Sequence, residues 1–277
     1  MTAAADLARR ALRRPGLLLA IAVVVIVAGW AIAPGLFAPG DPLRAVPEDR
    51  LGAPSAAHLF GTDELGRDLF IRVVHGASLS IRSTLLAVVI ALVAGSLVGI
   101  LAGYLGGVVD GVLMRAIDVV LAIPGLLLSL AVIAALGAGS LQISIAVGVG
   151  SLPSFARVVR SETMRVRSSD FVETCRALGV RGPRMLVRHV LPNVLGPVVV
   201  LAVATLATAV LAVSALSFLG FGTPPPAPEW GNLISEGRDY LASAWWLTML
   251  PAAVVVAVVL SVNHLSRSLS RESGRSA

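Results

Sequence analysis

The sequence predicts an all-α membrane protein with six transmembrane helices. Hydrophobic residues make up 56% of its 277 positions and charged residues only 14%, with a mean hydropathy of +0.88. That is too apolar for a soluble domain of this length. Six apolar runs of about 17 to 24 residues recur along the chain, each near the roughly 20 residues a helix needs to cross a bilayer. The arginines between them alternate in density from one intervening segment to the next, as membrane topology requires.

The first run, about Leu17 to Ala33, follows Arg9, Arg10, Arg13 and Arg14. Its end, Ala31-Ile-Ala33, resembles a signal-peptide cleavage site, but Pro34 argues against cleavage. A first transmembrane helix with its N-terminus inside is the better reading. Residues 1–36 are therefore a leader plus first span, and 37–80 a polar, proline-bearing extracytoplasmic segment.

Residues 81–264 form the expected core of five spans. The second, about Ile81 to Tyr104, carries Gly95, Gly99 and Gly103, with Gly107 continuing the four-residue interval. This spacing leaves one helix stripe almost free of side chains, for close packing within the bundle. The third, Leu113 to Leu136, contains Pro124 and has Asp110, Arg115 and Asp118 around its start; Arg115 and Asp118 stand one turn apart and are placed to pair. A short turn, Gly137 to Ser140, leads into the fourth, Leu141 to about Val159, as a tight hairpin.

Residues 160–193 then form a polar loop, and its stretch from Phe171 to Asn193 reads as a helix, a break and a second helix. Asp170 followed three residues later by Glu173 predicts a capped start, and Gly179 a C-cap. Gly182-Pro183 restarts the chain, and Pro192 marks where the second helix yields to the next span. The fifth span, Val194 to Ala215, has Thr205 and Thr208 on one face, either lining a path or bonding back to their own helix. Ser217 to Trp246 is polar, with Pro224, Pro225, Pro226 and Pro228, and Trp230, Trp245 and Trp246 are placed as interfacial aromatics. The sixth span runs from Leu247 to about His264, and 265–277 is a tail.

With the N-terminus inside, the inner segments hold 16 arginines and the outer ones six, the latter outnumbered by nine acids. The positive-inside rule thus puts both termini and 160–193 in the cytoplasm. The net charge of +6 is accounted for by this topology and does not point to nucleic acid. All 22 basic residues are arginine, which excludes a P-loop, whose lysine meets the phosphates. Cys175, the single cysteine, is a small packing residue, and the four histidines lack metal-site spacing, so no metal is expected. No catalytic constellation is legible. None of the six spans carries an ionisable group at its centre, as a secondary transporter would use for coupling.

Glu173-Thr174-Cys175, Gly179 and Leu191-Pro192 resemble the "EAA…G…LP" cytoplasmic loop of the permease subunits of ABC importers, with Thr174 and Cys175 where alanines are usual. Gly61 to Asp68 (GTDELGRD) and Ser217 to Gly231 (SFLGFGTPPPAPEWG) are similar to the peptide-transport branch of that family, specifically its dipeptide/oligopeptide C-type subunits. The resemblance covers about Ala33 to Asn263. It departs after Asn263, where His264-Leu-Ser-Arg-Ser-Leu replaces the usual Gly-Asp-Gly stretch.

The resemblance implies a type I ABC importer permease fold in the cytoplasmic membrane of a bacterium. It implies a second homologous permease as heterodimer partner, cytoplasmic ATPase subunits that bind ATP and Mg, an extracytoplasmic solute-binding protein, surrounding lipid, and no cofactor in this chain. Asp170, Glu173, Thr174, Cys175, Leu178, Gly179, Leu191 and Pro192 would then couple to the ATPase. Asp63, Glu64, Asp68, Glu229 and Trp230 would dock the binding protein or gate the path, or simply brace the bundle. Peptides are the implied cargo, with nickel or another small solute the alternative. A non-transporting membrane scaffold or receptor is the competing class.

Overall fold

A computed structural model describes residues 15–178 and 182–273. Among the described residues the chain forms eleven α-helices. α1 spans Pro15–Ile32 and is followed by a single turn, α2, Pro34–Phe37. α3 spans Leu69–Leu105, α4 Gly107–Leu121, α5 Gly125–Leu136 and α6 Ser140–Arg167. The elbow consists of α7, Asp170–Ala177, and α8, Gly182–Met185, which runs through a π turn, Leu186–Val190, into α9, Leu191–Phe218. α10 spans Trp230–Glu236 and α11 Trp246–Ser273.

Among the described residues five helices are long and apolar enough to cross a membrane, and the count becomes six if the bent pair α4–α5 is one span. That bend breaks the expected third span, Leu113 to Leu136, in two. The two halves meet at 93°. Pro124, with ψ at 130°, precedes α5 as its N-cap residue; proline lacks the N–H that would continue the ladder and disfavours helical backbone in the residue before it.

Three further boundaries move. α3 begins at Leu69 rather than near Ile81, because Asp68 accepts a capping hydrogen bond from Ile71 N–H. At 37 residues it is about 55 Å long, well beyond the hydrocarbon core, so its first turns belong outside it. Pro192 does not end a helix. The Leu191 N–H bonds to the Leu186 carbonyl, five residues back, and this wider turn accommodates a proline whose ring would clash in a regular one. α11 likewise continues past His264 to Ser273, through a stretch without glycine or proline.

The core is organised on α3 and α6, the most extensive helix pair. A Cβ on Gly95 would lie 2.6 Å from Phe155 Cβ, one on Gly99 2.6 Å from the Ala156 carbonyl oxygen, and one on Gly103 2.7 Å from that of Arg160. Backbone approach this close requires glycine. Gly107 does not extend the stripe: α3 stops at Leu105, and a Cβ at Gly107 meets nothing within 4 Å. One core cluster joins α3, α6 and α9 to the elbow, and a second joins α1, the start of α3, α9, α10 and α11. The outward faces carry side chains such as Leu19, Val25, Leu97, Val199 and Leu260, all more than half exposed, as expected of a surface solvated by lipid.

Candidate functional site: the elbow and the braced opposite end

Val172, Met185 and Val190 are buried, 0 to 2% exposed, and pack with Val166 and Val194 in the core cluster. Cys175 is half-buried against the same cluster, as a free thiol. The elbow is therefore seated on the bundle rather than hanging from it. Phe171 meets His189 edge to face, with ring centroids 5.4 Å apart, which ties the first helix of the elbow to the π turn. The Tyr104 hydroxyl donates to the Gly182 carbonyl at 2.7 Å, fastening the elbow to the last turn of α3.

The other face of the elbow is open. Asp170, Glu173 and Thr174 are exposed, as are Phe171, Leu178 and Val187, with Leu178 at 78%. Asp170 is the first helical residue, so Ser169, not Asp170, holds the N-cap place. Asp170 and Glu173 still put two carboxylates in the first turn, where they oppose the positive end of the helix dipole. The Thr174 hydroxyl bonds back to the Asp170 carbonyl at 2.9 Å. Leu191 and Pro192 lie in the first turn of α9. Gly179 lies outside the described residues.

At the opposite end of α3 the GTDELGRD and proline-rich segments interlock. Asp63, 2% exposed, accepts from Arg67 Nε at 2.6 Å and from Arg72 Nη1 at 2.7 Å, and from the backbone N–H groups of Leu65 and Arg67. Arg72, 1% exposed, also donates to Glu236 at 2.8 Å, joining α3 to α10. Glu64 pairs with Arg67 at 3.1 Å, and Asp68 with His58 at 2.8 Å. Glu229 is buried and accepts from the Ser217 hydroxyl and the Thr223 N–H. Trp230 is fully buried, its indole donating to the Val73 carbonyl at 2.9 Å and its backbone N–H to Ser80.

Asp63, Glu229 and Trp230 are buried, and the hydrogen bonds they make are turned into the chain, the arrangement that the bracing alternative expects. Trp230 is accordingly not an interfacial aromatic, whereas Trp245 is half-exposed. Arg115 and Asp118 do not pair either: Asp118 takes Arg157 of α6 at 2.7 Å, and Asp110 takes Arg160, so both acids clamp α4 to α6. Thr205 and Thr208 bond back to the carbonyls of Leu201 and Thr205. Three contributors escaped the sequence reading. Arg72 and Glu236 stood in segments read only as polar, and Tyr104 carried only one signal, as a tyrosine at the end of an apolar run. Among the described residues no group of three or more His, Cys, Asp or Glu is placed to hold a metal ion.

Residues 95–272 match the family described as "Binding-protein-dependent transport system inner membrane component". The chain is 37% identical over 255 residues to the dipeptide transport system permease protein DppC of Alkalihalophilus pseudofirmus, covering 91% of this chain and 84% of that one. It is 39% identical over 238 residues to the di/tripeptide transport system permease protein DppC of Pseudomonas aeruginosa, covering 84% and 78%. Against the glutathione transport system permease protein GsiD of Escherichia coli it is 39% identical over 248 residues, covering 89% and 80%. Among solved structures, a chain of the MetNI methionine ABC transporter in an inward-facing conformation superposes with a TM-score of 0.57 at 20% identity, over 73% of this chain and 97% of that one. A chain of an amino acid ABC transporter superposes with a TM-score of 0.56 at 15% identity, over 73% and 94%. These last two likenesses concern the fold.

Proposed function

The chain belongs to the family of binding-protein-dependent transport system inner membrane components, and from that membership we propose that it is one of two permease subunits forming the path of an ATP-driven peptide importer. The observation that carries this is the seated elbow. One face, Val172, Met185 and Val190, is locked into the core; the other presents Glu173, Thr174 and Leu178. A piece held by the bundle and open to a partner moves as the bundle moves. Closure of ATPase subunits against it would tilt α3 and α9 through the contacts at Tyr104 and Val190.

In this reading the elbow and both termini are cytoplasmic, the Trp230 end faces outward, and ATP and Mg are bound by separate ATPase subunits. A solute-binding protein delivers the cargo, and alternating access follows because the binding protein and nucleotide favour different arrangements of one bundle. Di- and oligopeptides are the cargo, by the relatives' names; the internal bracing of Asp63 and Glu229 moves the contact with the binding protein to other surfaces of that end.

The test is uptake by vesicles holding the complete importer and its binding protein, with dialanine and nickel offered in parallel. ATP-dependent accumulation of dialanine supports the reading. Accumulation of nickel alone would reassign the cargo, and binding without accumulation of either would leave a scaffold.

A further inference from the structure

A second face of the elbow end carries an open cavity of about 330 Å³, lined by Gly103, Gly106, Asp110, Met164, Arg167 and Ser168. It lies where the apolar spans give way to the polar elbow: α3 ends at Leu105, α6 ends at Arg167, and Ser168, Asp170 and Glu173 beyond them are exposed. Ligand pockets run from about 300 to 1,000 Å³, so this one has room for a headgroup rather than for a whole lipid.

Arg167 gives the cavity its charge. α6 carries four arginines, and three of them have an acid: Arg157 pairs with Asp118, Arg160 with Asp110 and Arg165 with Glu162. Among the described residues Arg167 has none. Asp110, the carboxylate in the lining, accepts from both Nε and Nη2 of Arg160, so its charge is already answered. Arg167 stacks over the Tyr104 ring and makes one long bond, 3.5 Å from Nη1 to the Gly103 carbonyl. Its Nε and Nη2 make no hydrogen bond among the described residues, and the side chain is only half-buried. That edge of a guanidinium is the one that grips a phosphate with two parallel bonds.

The surroundings are apolar on one side and basic on the other. Met164 in the lining is exposed, and α4, which contributes Asp110, carries exposed Val108, Val109 and Val112. Arg184, also exposed, stands two residues after Gly182, whose carbonyl Tyr104 holds. A cation without an acid, at a membrane boundary and next to exposed apolar side chains, matches an amphiphile with an anionic head.

We infer that this cavity holds the phosphate of an anionic phospholipid, with Arg167 as its counter-ion and the exposed valines of α4 along its acyl chains. The site needs the membrane but no particular cargo, so it stands or falls apart from the peptide reading. Because Arg167 also stacks on Tyr104, a lipid held there bears on the joint between α3 and the elbow.

Native mass spectrometry on the purified complete importer in detergent tests it, with dioleoyl phosphatidylglycerol and dioleoyl phosphatidylcholine as probes. Wild type is expected to hold one phosphatidylglycerol at least about tenfold more tightly than phosphatidylcholine, a difference of about 1.4 kcal/mol. Arg167→Gln is expected to lose that one tight lipid. Because Arg167 also supports Tyr104, Ser168→Glu serves as an independent variant: Ser168 lines the cavity and its hydroxyl bonds only to the Arg165 carbonyl of its own helix. The added carboxylate should repel the headgroup while the thermal midpoint stays within a few degrees. Inorganic phosphate and glycerol 1-phosphate, offered in large excess, are expected not to displace the lipid; displacement by either would make this a site for free phosphate and overturn the lipid assignment. Equal binding of the two lipids by wild type, or an undiminished count of tight phosphatidylglycerol in both variants, would overturn the site itself.

Discussion

The Tyr104 hydroxyl donates to the Gly182 carbonyl at 2.7 Å, across 78 residues of sequence, and this bond joins the last turn of α3 to the start of the second half of the elbow. Arg167 stacks over the same ring, 5.9 Å from its centroid, so the tyrosine is held from both sides. Tyr104→Phe keeps the ring and removes the bond. A net loss of about 0.5–1.5 kcal/mol is too small to unfold the bundle, so the variant is expected to assemble normally. Solute-stimulated ATP hydrolysis should fall several-fold while unstimulated hydrolysis is unchanged, as measured on the reconstituted importer.

Gly99 tests the helix contact on which the core depends. Any side chain there meets the Ala156 carbonyl at 2.6 Å and Val159 Cβ at 2.8 Å, and backbone cannot step aside. Gly99→Leu is expected to lower stability by at least the roughly 1–3 kcal/mol of an overpacked core, read as a lower thermal midpoint and a poor yield of assembled complex. Gly111→Ala is the control: a Cβ there meets nothing within 4 Å, and the change should be neutral or slightly stabilising, by up to about 1 kcal/mol.

Trp230→Ala separates bracing from docking. The indole is fully buried and hydrogen-bonded to the Val73 carbonyl, and removing a buried tryptophan side chain costs about 3–5 kcal/mol. Loss of assembled complex is expected in detergent and in membranes. A variant that assembles normally but fails to capture the binding protein would restore a docking role.

How far the sequence foretold this site depends on what kind of interaction each residue makes. Gly95, Gly99 and Gly103 were legible because a four-residue period in a helix defines a face by geometry alone. The elbow was legible as a helix, a break and a second helix, from Asp170 and Gly182-Pro183, but its seat was not, because the burial of Val172, Met185 and Val190 depends on the bundle they pack against. Asp63 and Glu229 were not: acids in glycine- and proline-rich turns are exposed by default, and their burial depends on partners, Arg72 and Ser217, that only the folded chain brings up. The bend at Pro124 was half-legible, because proline marks the break but not its angle. The π turn before Pro192 left no local signal, as it arises from accommodating that proline in a helix whose packing continues on both sides.

Orientation is measured by labelling. Ser168 and Ser243 are exposed and lie at opposite ends of the bundle. Single cysteines at these positions, in a Cys175→Ser background, are expected to react with an impermeant maleimide from the inside only and the outside only, respectively. Reaction of both from one side would reverse or remove a span, with the α4–α5 pair the first to re-examine, since its 93° bend is compatible with a segment that enters and leaves by the same face.

The exposed carboxylate of Glu173 carries the strongest expectation about coupling. It stands in the first turn of α7, on a helix whose inner face is anchored by Val172 and whose outer face is exposed among the described residues. Glu173→Ala removes one of two first-turn carboxylates, a dipole contribution of about 0.3–1 kcal/mol, and the buried contacts of Val172 and Met185 are many times that, so α7 should stay seated. If the carboxylate meets a basic group on an ATPase subunit, its loss should weaken transmission by about tenfold, equivalent to about 1.4 kcal/mol. The expected phenotype is therefore selective: normal abundance in the membrane, normal pairing with the second permease, and joint loss of solute-stimulated hydrolysis and uptake. Glu173→Gln, which keeps the shape but not the charge, should resemble Glu173→Ala if charge is the coupling element and wild type if shape is. Normal stimulation in both variants would show that force enters the bundle elsewhere on the exposed face, with Leu178 and Phe171 the next side chains to truncate.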